Sequence, residues 1–364
     1  MVAIPWNSSR GPTLGIEWEL QLIDSRSRML RQDAREVLDA LPGVGESGEH
    51  PKLKYELMQS AVEVVTGICS TVTEAKRDLA ATISQLQRIT GERGTMLACA
   101  GTHPVSDWRD AKMAPIQRYA ELLENLQWLA RRIQTFGVHV HVGIRDGSKA
   151  IPIVNALAGY LPHFLALTAS SPFWSGHDTG LASSRSVIFG GLPTSGPPQP
   201  LADWSEFEDY MDTLLRAGTI LSIKELWWDI PPHPDFGTIE VRMFDGVPTL
   251  REIGMAAALS QSLVHMLDAQ LDRGYTLPAP SAWVQRWNSS RVSDGPRSPR
   301  MNMACSHLPA RVLPRCRACA WSAPRRARPR WFPSPWMAST RTTSAPFSTV
   351  RASRSAPAIT APCQ

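Results

Sequence analysis

GIEWELQLI, residues 15–23, is the stretch on which the fold turns. In extended chain alternate side chains share a face, so Ile16, Trp18, Leu20 and Leu22 point one way while Glu17, Glu19 and Gln21 point the other. The apolar side is a core face. Read alone, the other side is a sheet surface turned to water, although it sets two carboxylates next to each other.

Three further segments repeat that pattern. In GVHVHVG, residues 137–143, His139 and His141 share a face and the valines take the other. In GTIEVRMFD, residues 237–245, Glu240 and Arg242 share a face, and Asp245 stands where the strand ends. In YELMQSAVEVVTG, residues 55–67, Glu56 and Glu63 bracket the turn into another strand. Taken singly, two histidines on a strand form a polar face and a Glu–Arg pair forms a cross-strand ion pair. Taken together, four strands offer carboxylate, imidazole and guanidinium groups to one face of a single antiparallel sheet. Carboxylates held close raise one another's pKa and repel unless cations neutralise them. Mg²⁺ or Mn²⁺ suits such a set, because both are hard ions that take oxygen ligands, and a histidine widens the choice toward Mn²⁺. Arg242 then suits a phosphoryl oxygen.

Helices alternate with these strands without the regular βαβ rhythm of a parallel sheet. Thr71 and Glu74 have capping-box spacing before a helix that stops at Gly91, and Thr249 and Glu252 repeat the spacing before MAAALSQSLVHMLDAQL. Another helix starts at Pro115 and ends before Gly137. The expected architecture is α+β: a mainly antiparallel sheet with helices near 72–90, 115–136, 151–169 and 250–272 packed on one face and the active site on the other. TMLACAG and SIKELWWDI also read as strands, and residues 175–203, rich in Gly, Pro and Ser, read as one long loop. Trp227 and Trp228 beside Asp229 are open to two readings, pocket wall or core.

The net charge of +5 averages two unlike parts. Residues 296–364 hold twelve arginines, eleven prolines and neither acidic residues nor lysine, which leaves −7 on the remainder. The division expected is a catalytic domain over 1–292 and an Arg/Pro/Ser-rich tail over 293–364. A basic tail can bind nucleic acid, but such tails mix Lys with Arg, and this composition is also that of a GC-rich gene read out of frame, the reading favoured here. Cys316 and Cys319 have CxxC spacing with no second pair, so no metal is assigned to them. Six scattered cysteines fit a reducing compartment. The opening residues lack the basic and apolar regions of a signal peptide, and IPIVNALAGYLPHFLALTA is interrupted by Pro152, Asn155, Pro162 and His163, so a cytoplasmic protein without a membrane span is expected.

In order, GIEWE, the Glu56–Glu63 segment ending VEVVTG, GVHVHVG, the loop WSGHDTGLASSR and WWDIPPHPDFGTIEVRMFD resemble the glutamate–cysteine ligase type 2 group of carboxylate–amine ligases. The resemblance covers roughly residues 12 to 292. It implies a glutamine synthetase-like catalytic fold and ATP-dependent amide formation: ATP phosphorylates the γ-carboxylate of glutamate, and an amine, typically that of cysteine, displaces phosphate. It further implies that Glu17, Glu19, Glu56, Glu63, His139 and Glu240 surround the metal ions and nucleotide phosphates, that Arg242 and Arg185 neutralise the transferring phosphoryl group, and that the protein is a homodimer acting on amino acids and ATP. Phosphoryl transfer depends mainly on positioning and charge neutralisation, which agrees with the lack of an obvious nucleophile. Two departures stand out: WDIPP puts Pro231 where the family reads Arg, and the helical sequence expected past Arg291 is absent. Weak or absent activity relative to an intact relative is therefore expected.

GVGESG, residues 43–48, fits GxGxxG but follows a helical stretch, where a dinucleotide site needs a strand. No GxxxxGK[ST] occurs, so nucleotide use falls to a sheet-borne metal site. HxH on a strand can hold zinc in a hydrolase, with His177 and His233 as later candidates in loop-like sequence. An inactive nucleotide-binding homologue is the non-catalytic alternative.

Overall fold

The computed structural model describes residues 3–42 and 50–278. GVGESG, the domain boundary at 292 and the Arg-rich tail lie outside the described residues.

Along the chain run β1 (Leu14–Asp24), α1 (Ala34–Asp39), β2 (Leu53–Tyr55), β3 (Ala61–Val65), α2 (Val72–Glu92), β4 (Thr95–Ala98), α3 (Gln117–Leu126), α4 (Trp128–Arg131) and β5 (Gly137–Gly143). There follow α5 (Ala150–Ala158), α6 (Leu161–Thr168), β6 (Phe173–Trp174), β7 (His177–Asp178), α7 (Ser184–Phe189), α8 (Trp204–Arg216), β8 (Pro232–His233), β9 (Thr238–Asp245) and α9 (Leu250–Asp272). Seven strands form one antiparallel sheet in the order β2-β3-β1-β5-β9-β8, with β4 beside the far end of β1.

The alternation in GIEWELQLI is realised: Ile16, Trp18, Leu20 and Leu22 are buried in one core with Val62 and Val64 of β3, Val138, Val140 and Val142 of β5, and Ile239 and Val241 of β9. Leu79 and Leu86 of α2, Leu157 and Phe164 of α5 and α6, and Ile253 and Val264 of α9 close the same core. The capping box at Thr71 forms, with Thr71 accepting from Glu74 N–H while Glu74 accepts from Thr71 N–H; at Thr249 only the N-cap half forms, Thr249 accepting from Glu252 N–H while its hydroxyl donates to Glu252 Oε2. A second cluster joins Phe207 and Met211 of α8 to Ile151, Leu226 and Trp228.

Several expected elements differ. The helix expected over 115–136 starts at Gln117 and breaks at Gln127, whose φ of 48° no helix accommodates; only the one-turn α4 follows. The stretch expected as one helix over 151–169 is two, bent by 62°, with Pro162 in the first turn of α6. No single described helix is long and apolar enough to cross a membrane. SIKELWWDI is not a strand: a 3₁₀ turn covers Ile223–Glu225, and Trp228 leaves the sheet direction to pack on Phe207 and Tyr210. The expected long loop is structured, holding α7 and a hairpin whose two turn residues, Ser175 and Gly176, take φ of 46° and 82°.

One irregularity controls the far end of the sheet. Val140 faces Val241, yet Val138 faces Phe244, so β9 carries an extra residue opposite His139. Strict alternation would send Asp245 to the core side with Val241. The bulge instead sends Phe244 there, edge-on to Phe164 at 5.2 Å, and turns Asp245 to the polar side.

Candidate active site

Register places the polar residues in a row. Glu63 of β3 lies directly across from Glu19 of β1, Glu17 faces His139 of β5, and His141 faces Glu240 of β9. His139 Nδ1 is 3.0 Å from Glu17 Oε2 and 3.3 Å from Glu240 Oε1, and its Nε2 is 3.5 Å from Glu19 Oε1. His141 Nε2 is 3.3 Å from Glu17 Oε1 and 3.9 Å from Glu240 Oε2, while its Nδ1 is 3.0 Å from Thr238 Oγ1. Arg242 reaches Glu240 through a single nitrogen, Nη2, 2.7 Å from Oε1 and 2.8 Å from Oε2. Glu19 also accepts the backbone N–H of Gly137.

The charges divide the carboxylates into two sets. Burial works to raise Glu17, but His141 and His139 outweigh it and hold the carboxyl well below the usual range. Burial likewise opposes ionisation of Glu240, and Arg242 and the two imidazoles outweigh it, so its pKa is lowered. His141 answers with a raised pKa: burial opposes the imidazolium, and Glu17 and Glu240 prevail. Glu56 and Glu63 lack a comparable cation. Burial first, and then Glu19 and Glu17, push Glu56 up to about 8. Burial and the charges of Glu17, Glu56 and Glu19 raise Glu63 well above its usual value. Five carboxylates thus share one guanidinium and two imidazoles, an excess of negative charge that divalent cations offset.

Ligand atoms of Glu17, His139 and Glu240 converge within 4.8 Å of one another, and His139 and Glu240 are buried. Two carboxylates and an imidazole suit Mg²⁺ or Mn²⁺. A cleft of about 170 Å³ opens over this floor, with Arg118, Lys224, Trp227, Pro231 and His233 among the residues that ring it. Arg118 and Lys224 bring positive charge above the acidic floor. Neither belongs to a local motif in the sequence, so only the return of α3 and the 223–225 turn to the site reveals them. His141 shares the face of His139 by alternation, and the 3.3 Å approach of its Nε2 to Glu17 Oε1 adds it to the group. Trp227 lines the cleft, while Trp228 is core, 2% exposed, which divides the pair between its two readings. His177 sits exposed on the β6–β7 hairpin, and His233 stacks on Phe236.

Arg185 is placed apart from the others. It lies in α7, 3% exposed, with both terminal nitrogens 3.4 Å from the Arg242 carbonyl oxygen and its guanidinium against the bare Cα of Gly137. It does not line the cleft. Beside it, Asp245 accepts bonds from Ser170 N–H at 3.0 Å, Ser171 Oγ at 2.7 Å and Ser183 Oγ at 2.8 Å, tying the segment around α7 to the end of β9.

The fold is that of the glutamine synthetase-like ligases. It resembles the glutamate–cysteine ligase of Francisella tularensis, solved in complex with AMP, with a TM-score of 0.57 at 10% identity over 80% of this chain and 72% of that one. It also resembles a bifunctional glutathione synthetase from Pasteurella multocida, with a TM-score of 0.55 at 14% identity over 85% of this chain and 46% of that one. Residues 13–303 match the profile of glutamate–cysteine ligase family 2, and the chain belongs to that family. A protein of Thermobifida fusca provisionally named glutamate–cysteine ligase 2 is 66% identical over 293 residues, 80% of this chain and 73% of the relative. A Mycobacterium tuberculosis protein with the same provisional name is 45% identical over 291 residues, 79% and 76% of the two chains.

Proposed function

We propose that the protein is an ATP-dependent carboxylate–amine ligase that joins the γ-carboxylate of glutamate to an amine such as that of cysteine. The observation that carries this reading is the convergence of Glu17, His139 and Glu240 beneath a cleft ringed by Arg118, Lys224 and Arg242. A carboxylate oxygen attacks the γ-phosphorus, ADP leaves, and the amine nitrogen then attacks the acyl carbon as phosphate departs and the amine loses a proton.

Glu17, His139 and Glu240 hold a divalent ion, with Glu19, Glu56 and Glu63 completing the negative floor for further cation charge. Bound there, Mg²⁺ or Mn²⁺ supplies Lewis-acid neutralisation of phosphate oxygens. Arg242, tethered to Glu240 through Nη2, presents its remaining N–H groups to the transferring phosphoryl group. Arg185 supports that arrangement from behind through the Arg242 carbonyl and Gly137, a positioning role. The residues needed are orienting and charge-neutralising groups, consistent with phosphoryl transfer.

ADP release by the purified full chain, with ATP and Mg²⁺ and with or without glutamate plus cysteine, tests the reading. Release that depends on the amino acids is expected. A folded protein that binds ATP and releases no ADP under saturating amino acids is instead an inactive homologue. Hydrolysis of esters or amides with tight zinc retention would assign the HxH pair to a hydrolase.

A further inference from the structure

We propose that the segment Ala3–Ser9, which precedes the family match beginning at residue 13, is a strap that sets the amino-acid affinity of the cleft by gripping the turn that forms one of its walls. Taking an amino acid as the occupant rests on the ligase reading.

The strap is anchored at both ends. Ile4 N–H donates to Glu208 Oε1 at 2.7 Å, and the Trp204 indole donates to Ile4 O at 3.2 Å, which fastens it to α8. Trp6 meets Trp204 edge-on at 5.2 Å and donates its indole N–H to Ile144 O at 3.3 Å. Ser9 N–H donates to the same carbonyl at 3.0 Å. One aromatic pair and four hydrogen bonds thus hold a segment with no secondary structure of its own.

Between these anchors Asn7 takes hold of the cleft wall. Its backbone N–H donates to Pro234 O at 3.0 Å, and its side-chain amide donates to Asp235 O at 2.8 Å. The strap runs so close to the turn that a Cβ on Gly237 would collide with the Asn7 carbonyl. Gly237 also takes a φ of 61°, a backbone state that glycine adopts without strain. Pro234 and Asp235 line the cleft, as does His233. The His233 ring stacks on Phe236 at 4.2 Å with an interplanar angle of 5° and stands edge-on to His141 at 5.6 Å. His233 is therefore placed by the turn, and the turn by the strap. His233, Pro234 and Asp235 line the cleft outside the carboxylate row and the Arg242 guanidinium that the ligase reading gives to cations and phosphoryl group, so displacement of this wall acts on the amino-acid reactant before the nucleotide.

The test compares the full chain with Asn7→Ala and with Trp6→Ala/Asn7→Ala. The single variant removes one exposed hydrogen bond and leaves the core intact, so it remains folded if the double variant does not. Carbethoxylation of His233 by diethyl pyrocarbonate, followed by peptide mass spectrometry, is expected to accelerate severalfold once the grip is loosened. In ADP release, KM for the amino acid is expected to rise about fivefold, with kcat and the KM for ATP within about twofold. Unchanged His233 labelling in both variants would overturn the strap, as would a fall in kcat with the amino-acid KM unmoved. If the unaltered chain releases no ADP in response to amino acids, the ligase reading fails and labelling alone decides the strap.

Discussion

Glu17 and Glu240 stand on strands that do not touch, yet their carboxylates meet at one atom: His139 Nδ1 lies 3.0 Å from the first and 3.3 Å from the second. β5 runs between β1 and β9, and the central imidazole draws both flanking carboxylates toward a shared point. A metal ion there would add ligand bonds to a set of side chains already converging on its position.

Glu19→Gln tests whether the row of carboxylates serves cations. Glutamine keeps an oxygen for the Gly137 N–H but removes a charge that faces Glu63 across the strands. Mg²⁺-dependent nucleotide binding, measured by calorimetry, is expected to weaken about tenfold. The melting temperature in chelator is expected to hold or rise. A lower melting temperature with unchanged binding would make the pair structural.

The protein in chelator is expected to lose stability as pH rises from about 4.5 to 8. Glu56, pushed up to about 8 from an ordinary value of 4.5, keeps its proton in the folded state over that window while the unfolded chain has lost it. The folded state binds more protons there, so rising pH favours unfolding. Glu63 and His141, both raised, act in the same direction. Glu17 and Glu240, both lowered, stabilise the fold above their unfolded values and lose that contribution only in acid. Melting curves between pH 5 and 8.5 read the slope, and Mg²⁺ is expected to flatten it. A rising or flat slope in chelator contradicts the crowding of carboxylates.

Asp245→Ala removes the acceptor for three donors in a buried site: Ser170 N–H, Ser171 Oγ and Ser183 Oγ. At about 1 kcal/mol or more for each unmet donor, the expected loss is at least about 3 kcal/mol by denaturant titration. Asp245→Asn retains one oxygen and costs less. Equal losses from both variants would mean that the charge beside Arg185, and not the bonds, holds the segment.

Arg242→Lys keeps the charge but cannot bond Glu240 through one nitrogen and still present further N–H groups in a planar fork. If Arg242 serves the transferring phosphoryl group, the rate of ADP release is expected to fall about 100-fold while ATP binding persists. Lost ATP binding at an unchanged maximal rate would assign Arg242 to ground-state recognition.

Pro231 borders the cleft near Glu240 and Arg242, and its carbonyl accepts the Glu240 N–H at 3.0 Å. Pro231→Arg preserves that carbonyl and adds a cation over the acidic floor. Amino-acid-dependent ADP release is expected to increase. An unchanged rate would show that the missing charge does not limit this protein.

Much of the sheet and part of the site were legible along the chain. A period of two forces Glu17 and Glu19, His139 and His141, and Glu240 and Arg242 onto shared faces in any extended strand, while the N-cap threonines Thr71 and Thr249 mark helix starts by local bonding alone. These are short-range consequences of backbone geometry, and they recur in the fold. SIKELWWDI misled because its apolar residues are buried for two different reasons: Trp228 in the α8 cluster and Ile230 in the main core. The helix expected to run to residue 136 stopped at Gln127 because its apolar side has little to cover it; no residue of α3 is buried.

The sequence by itself determined which side chains share a face, since alternation follows from the chirality and planarity of each peptide. Only the tertiary structure decided which faces meet: the register that sets Glu63 against Glu19, the bulge that turns Asp245 toward the serines, the arrival of Arg118 and Lys224 above the acidic floor, and the grip of Asn7 on the 234–235 turn. Those contacts join residues far apart along the chain. Their geometry depends on packing the whole core, and no local period encodes it.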